Sequence, residues 1–141
     1  MPSPNQHQPT KVSIPNSLAK ISSHWSPKLV ASLNNSYDIK IVKVSGDFVW
    51  HSHPDTDELF YILSGNLTIK LCEPENKETE DLKDVNMSEG DMIVIPKGVR
   101  HCPATVGGQE VAIMLIEPSG VVNTGDAADT KGLKAVVEDF R

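Results

Sequence analysis

Two histidines and a glutamate lie within eight residues of one another and together could hold a metal ion. His51 and His53 are two residues apart, and in an extended strand such residues project from the same face. Residues 54–57 have the composition of a turn, and Glu58 begins an apolar segment typical of a second strand. A hairpin of this kind returns the carboxylate of Glu58 towards the two imidazole rings. The sequence therefore predicts three metal ligands from one hairpin.

A fourth candidate ligand, His101, follows a second apolar strand. Residues 92–95 are Met-Ile-Val-Ile, and the turn Pro96-Lys97-Gly98 leads from them towards the histidine. Imidazole and carboxylate ligands suit iron, manganese and nickel as well as zinc. Four protein ligands would complete a tetrahedral zinc site, whereas an octahedral ion keeps two positions open for substrate, water or dioxygen. We therefore expect one divalent transition metal per chain, with iron, manganese or nickel favoured and zinc as a further candidate.

These two segments resemble the two sequence motifs of the cupin superfamily, G-x5-H-x-H-x(3,4)-E-x6-G and G-x5-P-x-G-x2-H-x3-N. The positions in register are His51, His53, Glu58, Gly65, Gly90, Pro96, Gly98 and His101. Two positions depart from the pattern: four residues rather than five separate Gly46 from His51, and Thr105 stands where the pattern ends in asparagine. Neither position supplies a ligand. The resemblance implies a small single-domain cupin, or monocupin, whose metal ligands are His51, His53, Glu58 and His101.

Strand patterns at short, regular spacing predict an all-β protein. The predicted strands cover residues 37–44, 58–63, 66–72, 92–95 and 110–117. The cupin resemblance makes this fold a double-stranded β-helix, or jelly-roll, barrel with short flanking helices. We expect those helices at 16–25, at 26–33 and at 131–140. In the second of them, Ser26 and Pro27 suit the N-cap and the first helical position.

The chain divides into an arm, one domain and a tail. Residues 1–15 are polar and contain four prolines, which predicts a flexible N-terminal arm. Residues 16–120 form a single predicted cupin domain that includes the N-terminal helical segment. Residues 121–141 form a C-terminal tail that includes the third helix. The acidic segment 73–84 lies between two strands and is predicted to be a solvent-exposed loop.

The composition of the chain limits which binding partners and which cellular compartment we expect. The 141 residues carry a net charge of -6 and two cysteines, neither in a C-x-x-C spacing. The acidic balance argues against a nucleic-acid partner, which would need clustered basic residues. The sequence has no apolar run of about 18 residues and a polar N-terminus, so we expect a cytoplasmic protein that does not contact membranes. Trp50 and Tyr61 on exposed sheet faces predict a homodimer, and Cys102 is interpreted as a buried thiol.

The expected partner is a small oxygenated molecule that binds the metal through two atoms. Phe48 and Phe60 are interpreted as core residues rather than substrate contacts. No side chain in the motifs is an obvious general base, so no catalytic residue is assigned and a metal-driven, dioxygenase-like reaction is favoured. Sugar or sugar-phosphate isomerisation is the second hypothesis, for which only Lys97 and Arg100, near His101, could bind an anion. A non-enzymatic module that holds a metal and a small ligand is the third hypothesis.

Overall fold

Two β-sheets pack face to face in the computed structural model, which describes residues 8–141. The strands are β1 (Lys28–Leu33), β2 (Tyr37–Val44), β3 (Glu58–Ser64), β4 (Leu67–Lys70), β5 (Val85–Met87), β6 (Met92–Ile95), β7 (Cys102–Thr105), β8 (Val111–Pro118) and β9 (Glu138–Asp139). Among the described residues the single α-helix, α1, spans Ile14–Ala19. Short 3₁₀ turns occupy Lys77–Thr79 and Val106–Gly108.

The apolar core lies between the two sheets. The larger sheet has the strand order β6-β3-β8-β2-β1-β9, and the smaller has the order β5-β4-β7. Ile62 and Ile113 of the larger sheet belong to the same buried cluster as Leu67 and Ile69 of the smaller one. Burial of this shared apolar surface stabilises the packing of the sheets. The arrangement confirms the predicted all-β jelly roll.

The segment that carries His51 and His53 joins the barrel without forming a regular strand. It makes isolated antiparallel bridges, one between Asp47 and Ala104 and one between His51 and His101. The extended geometry expected for the two histidines is present, but hydrogen bonding to a neighbouring strand is limited to these bridges. The position of the segment therefore depends on a small number of contacts.

The two positions that depart from the motif pattern contact each other. The backbone N–H of Gly46 donates to Thr105 Oγ1 at 2.8 Å, and the backbone N–H of Thr105 donates to the Gly46 carbonyl at 3.0 Å. Gly46 has φ of 77°, a left-handed conformation that glycine adopts without strain. The shortened spacing before His51 and the threonine in place of asparagine thus form one local hydrogen-bonded arrangement.

The predicted helix at 26–33 is wrong, because this region forms strand β1. β1 lies between β2 and β9 in the larger sheet and so pairs on both edges. It buries Lys28 and Val30 on one face, the period-2 pattern of a strand. Ser26 and Pro27 are compatible with a turn as well as a helix start. Sheet pairing and burial outweigh the weak helix preference of so short a segment.

The predicted helix at 131–140 is also wrong. Burial alternates between half-buried and exposed residues from Leu133 to Val137, as in an extended chain. The chain then forms β9, which pairs in parallel with β1. The backbone N–H of Phe140 donates to the Leu29 carbonyl at 2.8 Å, and the Phe140 ring packs against a second apolar cluster. Docking of the chain end on the sheet therefore replaces the helix.

Helix α1 begins and ends earlier than the predicted helix at 16–25. Ser13 is its N-cap, since Ser13 Oγ accepts a hydrogen bond from the Asn16 backbone N–H at 3.3 Å. Pro15 lies in the first turn, where its missing N–H costs nothing. The helix is only six residues long, so tertiary packing rather than helix propensity holds it.

The N-terminal arm is only partly covered by the structure. Residues 1–7 of the predicted arm lie outside the described residues. Val12 and Ile14 pack against the second apolar cluster, so packing with the domain begins before residue 16. No helix among residues 8–141 is long and apolar enough to cross a membrane.

The acidic segment 73–84 connects β4 to β5 mainly as a loop, as predicted, with one 3₁₀ turn at Lys77–Thr79. Thr79 is buried, and its hydroxyl accepts a hydrogen bond from the Glu73 backbone N–H at 2.9 Å. The loop is therefore anchored by its own polar contacts.

The outward face of the larger sheet exposes apolar side chains. Tyr37, Leu59, Val94 and Ile116 line one shallow groove on this face, and Tyr37 and Val94 are exposed. Adjoining exposed apolar groups are typical of an interaction surface. Tyr61 lies on the outward face of β3 and is half-buried. The homodimer stays a prediction, and this face is where we expect it.

We expect a solution mass of two chains, and Val94→Glu should reduce that mass to one chain, because it introduces charge into the apolar groove. Light scattering measures the mass, and circular dichroism verifies that the sheet signal is unchanged. Val136→Glu is the matched control, since Val136 is 92% exposed on the tail and should not affect assembly. A wild-type mass of one chain would contradict the dimer.

Candidate metal centre

The structure brings all four predicted ligands together. His51, His53, Glu58 and His101 are buried, and each offers one ligand atom within 4.8 Å of the others. His53 Nε2 lies 3.6 Å from Glu58 Oε2, and His101 Nε2 lies 3.4 Å from Glu58 Oε1. Ligands held at about 2.0–2.2 Å from one ion are separated from each other by about 3 to 4.4 Å. The observed separations are on this scale, so the cluster could hold one metal ion.

Backbone hydrogen bonds fix two of the rings. His51 and His101 exchange N–H to carbonyl hydrogen bonds of 3.1 and 2.8 Å. Nδ1 of His51 lies 2.9 Å from the Val49 carbonyl, and Nδ1 of His101 lies 2.9 Å from the Val99 carbonyl. A carbonyl only accepts, so each Nδ1 carries the proton and each Nε2 keeps a lone pair. Both rings are thus set in the tautomer that a metal ligand needs.

Three buried nitrogen and oxygen atoms of the cluster lack hydrogen-bond partners. Within the described part of the chain, His53 Nε2, Glu58 Oε1 and His101 Nε2 have no hydrogen-bond partner. Buried polar atoms are rarely left unpaired, because each costs about 1–3 kcal/mol. A divalent cation would satisfy all three, so the donor set fits a metal ion.

The electrostatics of the cluster keep the histidines neutral. Burial, followed by repulsion from His101, lowers the pKa of His51 to about 3. Burial also lowers the pKa of His53 and of His101. Neutral imidazoles do not form ion pairs, so the contacts of His53 and His101 with Glu58 are not salt bridges. Burial raises the pKa of Glu58 itself, and a nearby cation is what would favour its ionised form.

A largely apolar cavity adjoins the cluster. Trp25 and Phe48 stack in its wall with ring centroids 4.5 Å apart, and the Phe60 ring meets His101 edge-on. The polar side chains in the lining are His51, Glu58, Asn123 and Glu117. Phe48 and Phe60 are buried as predicted, but both also line the cavity, so their interpretation as core residues alone is incomplete.

A second buried carboxyl group, Glu117, lies beside Glu58 and was missed by the sequence prediction. The register pairs Leu59 with Ile116, which places Glu58 of β3 next to Glu117 of β8 on the inward face. Lys40 of β2 donates from Nζ to Glu117 Oε1 at 3.0 Å. Lys40 is 1% exposed and Glu117 is 2% exposed. These three side chains form a polar row across the larger sheet, inside an otherwise apolar barrel.

The buried surroundings of Glu117 change the pKa of its carboxyl group. Burial, repulsion from Glu58 and a hydrogen bond from protonated Glu117 to Glu58 raise the pKa of Glu117 to about 8, although Lys40 lowers it. When Glu117 is ionised, its Oε2 atom has no hydrogen-bond partner among the described residues, and Glu117 lines the cavity. The sequence did carry a signal, since Glu117 follows an apolar run that forms a buried strand. The sequence gave no such signal for Lys40, because Lys40 alternates with isoleucines as an outward-facing residue would.

The two predicted basic residues do not reach the cavity. Arg100 is paired with Glu73, with its Nη2 atom 2.8 Å from Glu73 Oε2. Lys97 is exposed in the shallow groove of the outward sheet face. The structure therefore gives no support to the hypothesis that they bind an anionic substrate at the metal. Cys102 is buried, as predicted, and burial raises the pKa of its thiol.

Replacement of His51 or His101 by Ala should abolish stoichiometric metal binding and leave a folded β protein, because each removes one ligand from a cluster supported by the barrel. Elemental analysis and circular dichroism measure the two properties. His24→Ala is the control, since His24 is exposed and pairs with Glu110 on the surface. Stoichiometric metal in either ligand variant would show that the assigned ligands are wrong.

Lys40→Met should destabilise the metal-free protein by about 3–5 kcal/mol above pH 8, because it leaves the Glu117 carboxylate buried without its partner. A carboxyl whose native pKa is raised binds more protons folded than unfolded, so its contribution to stability falls as pH rises from 4.5 to about 8. The variant raises that pKa further. The loss should therefore be smaller near pH 6, where a proton on Glu117 replaces the ammonium group.

Urea unfolding at the two pH values measures this effect. The double variant Lys40→Met with Glu117→Leu replaces both partners by apolar groups and should recover most of the lost stability. The double variant could instead lose as much free energy of unfolding as the two single variants together. That result would show that Lys40 and Glu117 do not stabilise the fold as a pair.

Comparison with known proteins points to one family. A family model described as a cupin domain matches residues 39–117. Over 67 residues, the chain is 39% identical to an uncharacterised protein, YdbB, of Bacillus subtilis, covering 48% of this chain and 52% of the relative. Over 81 residues it is 33% identical to a 3-hydroxyanthranilate 3,4-dioxygenase of Brucella anthropi, covering 57% of this chain and 41% of the relative. The matches thus span about half the length of these relatives.

A solved structure agrees over a larger share of the chain. A cupin-2 domain containing protein from Shewanella frigidimarina superimposes with a TM-score of 0.66 at 38% identity. The match covers 76% of this chain and 93% of that protein. Fold and sequence therefore point to the same family.

Proposed function

Because this chain belongs to the cupin family, we propose that it is a metal-dependent enzyme with a dioxygenase-like reaction on a small oxygenated metabolite. The observation that carries the proposal is the group of buried, unpartnered donor atoms on His53, Glu58 and His101 beside an apolar cavity. A metal site that opens onto a water-poor pocket is suited to binding a small ligand next to the ion.

The protein side chains have separate roles in this proposal. His51, His53, Glu58 and His101 would hold the ion. When bound, a divalent iron, manganese or nickel ion would supply Lewis acidity and, for iron, electron exchange with dioxygen. The aromatic wall that includes Trp25 and Phe48 excludes water and packs against the body of the substrate. These roles do not require a side chain that acts as a general base.

Glu117 provides the polar contact for the substrate. Its Oε2 atom is unpartnered in the cavity wall, while Oε1 is held by Lys40. A hydroxyl or amino group on the substrate could donate to this oxygen. The raised pKa of Glu117, about 8, means that the same carboxyl could instead donate a proton near neutral pH.

The groups around the cavity limit how an anionic substrate could bind. Two carboxyl groups, Glu58 and Glu117, line it, and Lys40 is already bonded to Glu117. Among the described residues the lining includes no free Lys or Arg, so a phosphate would have to bind the ion itself. This supports the oxidative proposal over sugar-phosphate isomerisation, although a neutral sugar is compatible with the lining. The relative named as a dioxygenase also supports the oxidative reaction.

The test is oxygen uptake after reconstitution with iron, manganese, nickel or zinc in turn. We expect uptake with one redox-active metal at one ion per chain, and with a small diketone, enediol or catechol. The His51→Ala variant is the matched control and should consume no oxygen.

Two outcomes would contradict the proposal. Stoichiometric metal without oxygen uptake by any reconstituted form would favour the isomerase or the non-enzymatic binding module. Oxygen uptake by the His51→Ala variant at the wild-type rate would show that the reaction does not take place at the proposed metal site.

A further inference from the structure

The C-terminal tail crosses the segment that carries two of the four candidate ligands. We call residues 121–127 the strap. Ser52, which lies between His51 and His53, donates its backbone N–H to Asp126 Oδ1 at 2.6 Å and its hydroxyl to Asp126 Oδ2 at 2.8 Å. The Asp126 backbone N–H donates in return to the Ser52 carbonyl at 3.0 Å. All the polar groups of Ser52 are therefore bonded to one residue, 74 positions later in the chain.

The strap also contacts the ring of a candidate ligand. Gly125 has φ of 51°, and a Cβ atom at this position would lie 2.2 Å from the Ser52 carbonyl oxygen and 3.1 Å from His51 Cδ2. The first distance is far below van der Waals contact. Only glycine lets the strap lie this close to the histidine segment.

The strap is fixed at its other side. Asn123 Nδ2 donates to the Leu133 carbonyl at 2.9 Å, and Asn123 Oδ1 accepts from the Ala135 backbone N–H at 3.0 Å. Thr124 is only 2% exposed. The rest of the tail therefore holds the strap against the barrel, and the strap is not a free chain end.

The histidine segment needs such a support because little else holds it. It lies outside the regular strands, where its other backbone contacts include the exchange between His51 and His101 and a bond from the Gly98 N–H to the His53 carbonyl at 3.0 Å. In an extended chain the backbone N–H and carbonyl groups of residue 52 point to the opposite edge from those of residues 51 and 53. The strap bonds to both groups of Ser52 and so lies along that edge, where a neighbouring strand would lie in a regular sheet.

We propose that the strap is a positioning element of the metal centre, which orients His51 and His53 through Asp126, Ser52 and Gly125. It lies beyond residues 39–117, the part of the chain that the cupin family model matches. The inference rests on the metal site of the proposed function and is independent of whether oxygen is consumed there. Asp126 and Gly125 act through the histidines and do not themselves bind the ion.

A pair of glycine variants tests the proposal. Gly125→Ala and Gly132→Ala both place a side chain at a positive φ in the same tail, but a Cβ at Gly132 meets nothing within 4 Å. Competition with a chromophoric chelator measures the affinity of the metal-free proteins for Co²⁺. We expect Gly125→Ala to weaken binding by about 10- to 100-fold, as is typical when a support of a metal ligand is lost. Gly132→Ala should remain within about twofold of wild type.

A second pair keeps the test valid if Gly125→Ala fails to fold. Asp126→Ala removes the contacts with Ser52, whereas Asp129→Ala removes only a local hydrogen bond to the Lys131 N–H on the same tail. The first should weaken Co²⁺ binding by about tenfold or more and shift the visible absorption bands of bound Co²⁺, and the second should do neither.

A wild-type Co²⁺ affinity and spectrum in Asp126→Ala, even with reduced stability towards urea, would show that the strap is only structural and would overturn the inference. Absence of Co²⁺ binding by the wild-type protein would overturn the metal centre itself, and the inference with it. Metal binding that depends on the strap, without oxygen uptake, would contradict the proposed reaction and support the inference.

Discussion

The site depends on one pair of backbone hydrogen bonds, the exchange between His51 and His101 at 3.1 and 2.8 Å. This bridge joins two segments that are about fifty residues apart and fixes which side chains of each face the barrel interior. Because side chains alternate along an extended chain, a slip of one residue would turn a histidine away from the cluster. Each ring is then held by the carbonyl two residues earlier in its own segment, that of Val49 or of Val99. The same local geometry on both sides of the bridge leaves both Nε2 atoms free to bind a metal ion in the cluster.

The polar groups inside the barrel have an energetic cost that their partners must offset. Lys40, Glu117 and Glu58 lie on three adjacent strands with almost no contact with water. Unpaired buried charges would destabilise the barrel by several kcal/mol, so the ammonium group beside Glu117 and a cation beside Glu58 have complementary effects. The same row also bears on the proposed substrate, because the free Oε2 atom of Glu117 could accept a hydrogen bond in the cavity. We therefore expect the apolar wall and this oxygen to suit a compact molecule with a hydrogen-bond donor.

The spacing of a few residues was sufficient to predict the candidate ligands and the family, whereas other parts of the chain depended on long-range contacts. His51, His53, Glu58 and His101 were identified because their geometry follows from short local segments that any extended chain and turn would produce. Residues 26–33 were assigned to a helix because Ser26 and Pro27 suit a helix start, but pairing of β1 with β2 and β9 decides their structure. Lys40 has no local feature that shows it faces inward. The role of Asp126 could not be predicted either, since its contact with Ser52 spans 74 residues and exists only in the folded chain.

The central claim is that three imidazoles and one carboxylate hold a single metal ion, and X-ray absorption spectroscopy of protein purified without added metal or chelator tests it most directly. The structure predicts one edge from a first-row transition metal, a nitrogen and oxygen shell at about 2.0–2.2 Å, and the outer-shell scattering of about three imidazole rings. A bound metal without imidazole scattering, or with sulfur at about 2.3 Å, would contradict the assignment of the ligands.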